Sequence, residues 1–353
     1  MAGNANFDQI LSTTLNNYIP RLTDNIFSAR PLFYALTNTG TMRTVSGGAK
    51  IVVPIIYGTN TTADHYSGSE TIATTAQAGI SAAEYDWGQY AATVTINGLE
   101  EAQNNGEAQI IDLLEGKIFQ TQETIIENMN LMFYQTGPGA GALATRWNGL
   151  EQIVDGSVLT ANTLAGIDPS VAGDDFWASQ ETASGGVASL TAAMMATMYN
   201  DCSTGNDQPT IIITSQQAYE KYESLLTGQM RYTDTDMADA GFQNLMFKGA
   251  PITFDGAIST GTVAAGSQPM YFLNTKYLQL VRHSDVWFKA TPFVRPTSQD
   301  AVFSQILAYG QLTCSNRARQ GVLTGLYPTN EDVGGFGPPP CHFFEDLCET
   351  SVE

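Results

Sequence analysis

The chain has 353 residues and carries 15 Lys and Arg against 35 Asp and Glu, a formal net charge of −20. This acidic excess argues against a protein that holds nucleic acid mainly by neutralising phosphates, since such binding needs a surplus of Lys and Arg. Only 14% of the residues are charged while 43% are hydrophobic, so the chain is too apolar for a disordered acidic protein and its surface must be largely uncharged.

No targeting or membrane-spanning segment is visible in the sequence. The first basic residue is Arg21, so no charged region precedes an apolar stretch as in a secretory signal. No run approaches the ~20 consecutive apolar residues of a transmembrane helix, and four cysteines are too few for a disulfide scaffold. We expect a soluble cytoplasmic product of about two domains.

Residues 1–45 have the pattern of an N-terminal arm. Phe7, Ile10 and Leu11 begin an apolar series at helical spacing, which predicts a short amphipathic helix that ends at Pro20. A second apolar group, which includes Phe33, follows it. Elements this short cannot bury these side chains alone, so we expect them to pack on the body of the chain or on a neighbouring subunit.

The next segment has the pattern of a long hairpin. Residues 50–57 (KIVVPIIY) are a β-branched strand whose central Pro54 predicts an edge position. Residues 58–83 are mostly Gly, Thr, Ser and Ala, and residues 85–97 resume strand character. Because a long loop and a two-stranded ribbon are both marginal alone, we expect this segment to find its partner on another molecule.

A long helix is the clearest signal in the chain. Asn97 and Glu100 have capping-box spacing. From residue 106 to residue 134 an apolar stripe recurs at 3.6-residue spacing, broadened by residues such as Phe119, until Gly137-Pro138 ends it. A continuous helix over that range would span ~44 Å.

The rest of the body mixes helices and strands. Residues 189–202 and 215–226 have helical patterns, whereas residues 210–214, 252–254 and 270–281 have strand patterns. In residues 301–314 five even positions are apolar (Val302, Ile306, Ala308, Leu312 and Cys314), while the odd positions mix apolar and polar residues. This pattern predicts a long strand with one covered face and one partly open face. A polar turn at residues 316–319 then leads into residues 320–326, which are expected to run back beside that strand.

The sequence offers no convergent catalytic set, so we expect no enzyme activity and no cofactor. His283-Ser284-Asp285 contains the letters of a triad, but neighbouring strand residues point to opposite faces. The glutamates of the long helix are expected to form its wet face.

Candidate metal ligands are equally sparse, and we expect no metal site. Asp234, Asp236 and Asp239 lack the glycine and the glutamate of a calcium loop. Cys341, His342 and Cys348 would give zinc only three ligands, and a disulfide or two free thiols remain open as alternatives for the cysteines.

The order of arm, ribbon, long helix, mixed body and closing strands resembles the major capsid protein of tailed bacteriophages, the Hong Kong phage-type fold. The resemblance covers about residues 1–327. Its most specific part is VFSQILAYGQLTCSNRARQGVLTGL at residues 302–326, and a second block runs from Gly149-Leu150 through Gly166-Ile167-Asp168-Pro169 to Trp177.

This resemblance implies an α+β capsid fold with five parts. Residues 1–45 would be the N-terminal arm and residues 46–96 the extended β-hairpin loop. Residues 97–185 and 296–327 would form the peripheral domain with its long spine helix. Residues 186–295 would be the axial domain, and residues 328–353 a C-terminal tail.

The function implied by the resemblance is a structural coat protein. Copies would assemble as hexamers and pentamers into an icosahedral shell around double-stranded DNA, which the acidic chain would hold without specific contacts. The implied partners are a separate scaffolding protein, a portal protein and, optionally, a decoration protein, with no membrane involved. Assembly would occur in the bacterial host cytoplasm and the product would reside in the virion capsid.

Two other functions remain alternatives to the coat protein. One is a tail tube or sheath subunit, which would need no spine helix, and the other is an extracellular surface-lattice protein, which would need a secretion signal.

Ten residues are the expected inter-subunit contacts. They are aromatic or apolar residues of the arm and the hairpin and two arginines of the closing turn: Phe7, Ile10, Leu11, Phe33, Tyr57, Tyr66, Tyr85, Trp87, Arg317 and Arg319.

Overall fold

The computed structural model describes residues 30–38, 40–99, 107–135, 145–154, 163–226, 245–260, 268–297 and 300–327. The expectations for Phe7, Ile10, Leu11, Glu100, the aspartates at 234–239 and the tail therefore lie outside the described residues.

The described elements follow one another in a mixed order of helices and strands. In chain order they are α1 (Pro31–Asn38), β1 (Met42–Val45), β2 (Ile51–Ile56), β3 (Ile80–Tyr85), β4 (Gly88–Asn97), α2 (Glu107–Tyr134), α3 (Leu150–Val154), β5 (Gln180–Ser189), α4 (Ala192–Asp201), β6 (Ile211–Thr214), α5 (Gln216–Leu225), β7 (Leu245–Phe247), β8 (Ala250–Phe254), α6 (Ala257–Thr260), β9 (Gln268–Leu273), β10 (Leu278–His283), β11 (Lys289–Ala290), β12 (Ala301–Cys314) and β13 (Gly321–Tyr327).

The first sheet is built around β12. This 14-residue strand pairs antiparallel with β4 along one side and with β10 and β11 along the other, and β1 adds parallel to β10. Between residues 301 and 310 its even positions are buried and its odd positions half-buried, as the apolar alternation predicts. β4 pairs with β12 alone among the described strands, so it is an edge of this sheet.

The second sheet has six strands in the order β5-β13-β9-β6-β8-β7. All four residues of β6 are buried, since strands pair with it on both sides and helices cover the sheet. The expectation that residues 320–326 pair with β12 is wrong, because β13 leaves β12 through a turn at Arg317–Arg319 and pairs with β5 and β9 instead.

Each sheet draws strands from both of the expected domains, whose boundaries stay a prediction. β5 crosses the expected boundary between residues 185 and 186 and lies in the second sheet beside β13, assigned to the peripheral domain, whereas β10 and β11, assigned to the axial domain, belong to the first. A buried apolar cluster joins residues of both sheets, including Leu280 of β10 and Ile213 of β6.

The predicted spine helix is α2, which spans 28 residues. Among its described buried side chains, Ile118, Ile125, Met129 and Phe133 face the core, in agreement with the predicted stripe. Phe119 does not broaden that stripe, because its side chain is 61% exposed on the outer side of the helix.

The predicted hairpin exists, but its second arm differs from the expectation. β2 pairs with β3 in a separate two-stranded sheet. β3 begins at Ile80, within residues 58–83, which we expected to form the loop at the tip of the hairpin. The strand at residues 88–97 belongs to the first sheet through its pairing with β12. The ribbon therefore ends at Tyr85, and the extended loop does not include β4.

Candidate functional site

The hairpin carries most of the exposed apolar surface of the described chain. In β2 the pleat buries Ile51, Val53 and Ile55 and turns the alternate residues outward. Of the eleven large apolar side chains exposed among the described residues, six lie on this hairpin. They are Val52, Ile56, Tyr57, Tyr66, Ile72 and Ile80. Ile56 and Ile80 lie opposite each other across the two strands, so this part of the exposed apolar surface is continuous.

The base of the hairpin is fixed to the first sheet. The Tyr85 hydroxyl donates to the carbonyl oxygen of Cys314 at 2.7 Å and accepts from the Cys314 N–H at 3.1 Å. The Trp87 indole donates to the Gly48 carbonyl oxygen at 2.9 Å, which ties the two ends of the ribbon together. The ribbon thus leaves the body in a defined direction.

A loop at residues 163–179 supports one side of the ribbon. The Glu84 N–H donates to the Ala165 carbonyl oxygen at 3.0 Å, and the rings of Tyr57 and Phe176 stack with centroids 4.4 Å apart. Trp177 is buried beneath and donates to the Leu164 carbonyl oxygen at 3.1 Å. This loop belongs to the block at residues 149–177 that the resemblance singled out.

Two glycines bring the strands together before the tip. The Tyr57 N–H donates to the Gly79 carbonyl oxygen at 2.9 Å. A Cβ on Gly58 would lie 2.9 Å from the Gly79 Cα, closer than real Cβ contacts, so Gly58 needs to be glycine for this approach. A Cβ on Gly79 would lie 3.1 Å from the Gly58 carbonyl oxygen, which is tight. Beyond them the chain is largely exposed and is held by local bonds such as Thr61 to Gln77 at 2.8 Å.

The hairpin positions among the expected contact residues fall into two groups. Tyr57 and Tyr66 are 40% and 69% exposed and are available to a partner. Trp87 is half-buried, with its ring edge on His283. Tyr85 is buried at the hairpin base, so the expectation that it contacts a neighbour is corrected: it acts within its own chain.

Phe33 and Arg317 are also core residues and not surface contacts. Phe33 is fully buried and packs edge-on against Phe133, with centroids 4.8 Å apart. The fully buried Arg317 guanidinium donates from Nε to the Ile153 carbonyl oxygen at 2.8 Å and from Nη2 to the Gln152 carbonyl oxygen at 3.0 Å. It therefore closes the C-terminal end of α3, whose last carbonyls have no intrahelical partner.

In the described structure, Arg319 and the side chains of His283, Ser284 and Asp285 do not come together in one site. Arg319 is half-buried in the turn between β12 and β13. The Asp285 N–H donates to His283 Nδ1 at 3.1 Å and Ser284 Oγ bonds Asp285 at 3.0 Å, which is a local turn and not a triad. Within the described ranges, no three His, Cys, Asp or Glu side chains are placed to hold a metal, and no helix there could cross a membrane.

A buried carboxylate that the sequence reading missed joins α2 to the second sheet. Asp255 accepts from Asn130 Nδ2 at 2.8 Å and from the Tyr134 hydroxyl at 3.3 Å, while the Ala257 N–H adds a bond at 3.0 Å. Burial, followed by the Asp255 charge, raises the pKa of Tyr134 well above its ordinary value. A lone Asp after a short strand gave no signal for this role, because Asn130 and Tyr134, its side-chain partners, are more than 100 residues away in the chain.

Comparison with solved structures identifies the fold. The chain is similar to the capsid asymmetric unit of cyanophage A-1(L), with a TM-score of 0.61 and 17% identity, over 84% of this chain and 92% of that one. It is also similar to the SrpI encapsulin of Synechococcus elongatus, with a TM-score of 0.53 and 10% identity, over 85% of this chain and 90% of that one.

A third structure agrees with these two. The capsid of a native GTA particle gives a TM-score of 0.53 and 10% identity, over 82% of this chain and 90% of that one. No protein-family model and no curated protein sequence matches the chain. The chain has the Hong Kong phage-type capsid fold.

Proposed function

We propose that the chain is the major capsid protein of a tailed bacteriophage, a coat subunit that assembles as hexamers and pentamers into an icosahedral shell. The observation that carries the proposal is the combination of the shell-subunit fold with a pinned hairpin that holds six apolar side chains outside its own core. A monomer with no partner would gain nothing from exposing them.

The surface chemistry supports assembly from many weak contacts. Only 14% of the residues are charged, so neighbouring copies can meet through uncharged polar groups in slightly different geometries. Each contact can be weak, because a closed shell repeats it at every subunit and the effects multiply. The fully buried Arg317 and the buried Phe33 are part of the rigid body that such a shell needs.

Double-stranded DNA is the proposed content. The net charge of −20 means that the wall would confine DNA without binding it tightly, since unpaired phosphates and acidic side chains repel each other. The likeness to an encapsulin makes a protein-filled compartment the second candidate, and the material inside purified particles separates the two.

The proposal also includes three kinds of partner protein. A separate scaffolding protein would guide assembly in the host cytoplasm, a portal protein would occupy one vertex, and a decoration protein could bind the finished virion capsid. The first and second sheets would supply the peripheral and axial regions of each subunit. The role is structural and non-enzymatic.

Expression of the full chain together with its neighbouring gene products tests this function. We expect closed icosahedral particles in negative-stain electron microscopy, and nuclease-protected DNA in particles from infected cells. Helical tubes would favour a tail subunit, flat lattices would favour a surface layer, and particles filled with one protein would favour the compartment. A chain that stays monomeric with all its partners present would refute the proposal.

A further inference from the structure

Strand β3 has an outer edge that its own ribbon does not use. Antiparallel strands direct the N–H and C=O groups of alternate residues to opposite sides. The Gly79 carbonyl oxygen accepts from the Tyr57 N–H of the facing strand, so the odd-numbered residues that follow Gly79 bond towards β2. The even-numbered residues Ile80, Ala82 and Glu84 therefore direct their backbone groups away from β2.

The backbone groups of Ile80 and Ala82 are available on this edge. Among the described residues, their N–H and C=O groups form no hydrogen bond. The free stretch ends at Glu84, whose N–H donates to the Ala165 carbonyl oxygen at 3.0 Å. Ala165 lies at the tip of a two-residue turn that reciprocal bonds of 3.0 and 3.1 Å close. Four backbone groups in a row are a template for one more short strand.

The other edge of the ribbon cannot serve in the same way. Pro54 lies at the centre of β2, opposite Ala82, and has no N–H to offer to an added strand. A strand that paired along β2 would leave one of its own acceptors without a donor at that point. Strand addition is therefore directed to the β3 edge.

The side chains along the β3 edge suit contact with a second acidic copy. Residues 71–83 carry no charge, although copies with a net charge of −20 repel each other elsewhere. The next acidic side chain, Glu84, is paired with Lys50 Nζ at 3.1 Å. Ile80 is 76% exposed and lies opposite the exposed Ile56 of β2. An approach along this edge brings apolar groups together without opposing unpaired carboxylates.

The edge is complementary to itself. Two β3 strands can meet antiparallel about a two-fold axis at Ser81, so that Ile80 of each copy faces Ala82 of the other. In this register all the free N–H and C=O groups of both copies pair, which gives four hydrogen bonds. The large Ile80 side chain then lies beside the small Ala82 of the second copy, and the apolar strip continues across both ribbons.

We infer that the β3 edge of one copy pairs with the β3 edge of a second copy about a two-fold axis at Ser81, which joins two ribbons into one four-stranded sheet. The inference rests on the proposed shell function. With two free residues per copy, the contact is far smaller than the about 1,200 Å² that a stable free complex buries. It therefore forms where other shell contacts already hold the two copies in place.

The symmetry of the contact determines which copies it joins. Contacts around a ring of subunits are heterologous, whereas a two-fold contact uses the same surface on both partners. The β3 pair therefore joins a subunit of one hexamer or pentamer to a subunit of the adjacent one. Each copy has one such edge, so each forms one pair.

A single cysteine tests this register. The two Ser81 residues would form a pair without mutual backbone bonds, whose Cα atoms lie ~4.5 Å apart, within the range of a disulfide. Ala82→Cys is the matched control, because Ala82 is more exposed than the half-buried Ser81. The two Ala82 Cα atoms would lie ~8 Å apart, beyond disulfide reach.

Both variants are made in a chain whose Cys341 and Cys348 are Ser, since Cys202 and Cys314 are buried. Assembled particles are oxidised and run on a denaturing gel without reductant. We expect a disulfide-linked dimer from Ser81→Cys, at least about tenfold more abundant than from Ala82→Cys.

No dimer from Ser81→Cys in intact particles, or equal dimer from both variants, overturns the inference while the shell function stands. Failure of the parent chain to form particles removes both.

A backbone variant supplies an independent readout. Ala82→Pro removes one outward N–H and no bond to β2, whereas Ala82→Ser keeps that N–H. We expect about a tenfold lower particle yield from Ala82→Pro than from Ala82→Ser, since the loss repeats at every copy, with equal melting temperatures of the unassembled chains. Equal yields count against the inference. This comparison decides if Ser81→Cys does not assemble, and the disulfide decides if Ala82→Pro does not fold.

Discussion

Tyr85 and Cys314 are joined by two hydrogen bonds although 229 residues separate them in the chain. The hydroxyl of Tyr85 serves both the carbonyl and the N–H of Cys314 at the end of β12, and both residues are buried. This pair fixes the point at which the hairpin leaves the body.

Removal of the Tyr85 hydroxyl should weaken this attachment. Tyr85→Phe leaves a buried N–H and a buried C=O of Cys314 unpaired, which should lower the free energy of unfolding by about 1–3 kcal/mol. Chemical denaturation measures it. Tyr57→Phe is the matched control, because Tyr57 is 40% exposed, and it should leave stability unchanged. Equal stability of both variants would show that the Tyr85 pair contributes nothing.

Deletion of the tip should separate folding from assembly. Gly58 and Gly79 are in contact, so residues 59–78 can be replaced by a two-glycine link without moving β2 or β3. We expect a monomer with an unchanged melting temperature that forms no shells. The measurements are calorimetry and negative-stain microscopy, and normal particles from the deletion would contradict the role of the hairpin.

Substitution of two neighbouring isoleucines of β2 should have different effects, one on particle yield and the other on the free energy of unfolding. Ile56 is 80% exposed and Ile55 is 6% exposed. Ile56→Ser should leave the free energy of unfolding within about 0.5 kcal/mol of the parent but reduce particle yield. Ile55→Ala should cost about 2–5 kcal/mol through the cavity that it leaves. Denaturation and sedimentation together check the pair, and full assembly by Ile56→Ser would exclude that face as an interface.

Truncation of Arg317 should act on stability and not on an interface. Arg317→Met keeps much of the volume but removes the donors to the carbonyls of Ile153 and Gln152, so we expect a loss of about 2–4 kcal/mol. The half-buried Arg319 is the control, and Arg319→Met should cost far less. A normal melting temperature for Arg317→Met, together with failed assembly, would return Arg317 to the interface.

The buried thiols should be unreactive until the chain unfolds or the pH rises. Burial raises the pKa of both Cys202 and Cys314 to about 12. A raised folded pKa means that stability is fully present below the ordinary thiol pKa of about 9 and falls as the pH climbs from 9 towards 12. We expect no labelling at pH 8 and labelling of both in denaturant.

The measurement uses a chain in which Cys341 and Cys348 are replaced by Ser, so that only these two thiols report. Cys314→Ala should flatten part of the alkaline decline. Rapid labelling of the native chain at pH 8 would contradict the burial of either thiol.

Elements with long periodic patterns were predictable from the sequence. The spine helix follows from an apolar stripe that persists for about seven turns, and the alternation in β12 shows which residues that strand buries. β3 was missed because Ser81, Ala82 and Ala83 are small residues with weak strand preference. β3 is a strand because it pairs with β2 along its length, although its own residues have a weak preference for strands.

Strand partners could not be predicted from local patterns. β13 reads as a strand, but its place depends on Gln320, whose side chain bonds both the N–H and the carbonyl of Asn274 at 2.9 and 3.1 Å. Those bonds hold the start of β13 beside β9, away from β12. The same limit applies to the candidate contacts, since aromatic and arginine side chains such as Phe33 and Arg317 serve a core as well as an interface.

Pro54 interrupts the hydrogen-bonding edge on the outer side of the ribbon. It lies at the centre of β2 on the outward-facing set of residues, where its missing N–H costs no bond to β3 but interrupts any ladder along that edge. An isolated ribbon with two free edges could pair edge to edge with other copies into fibrils, which is the aggregation hazard of an exposed strand. With its β2 edge interrupted, an unassembled copy of the proposed shell subunit offers one edge fewer to which a strand of another copy could add.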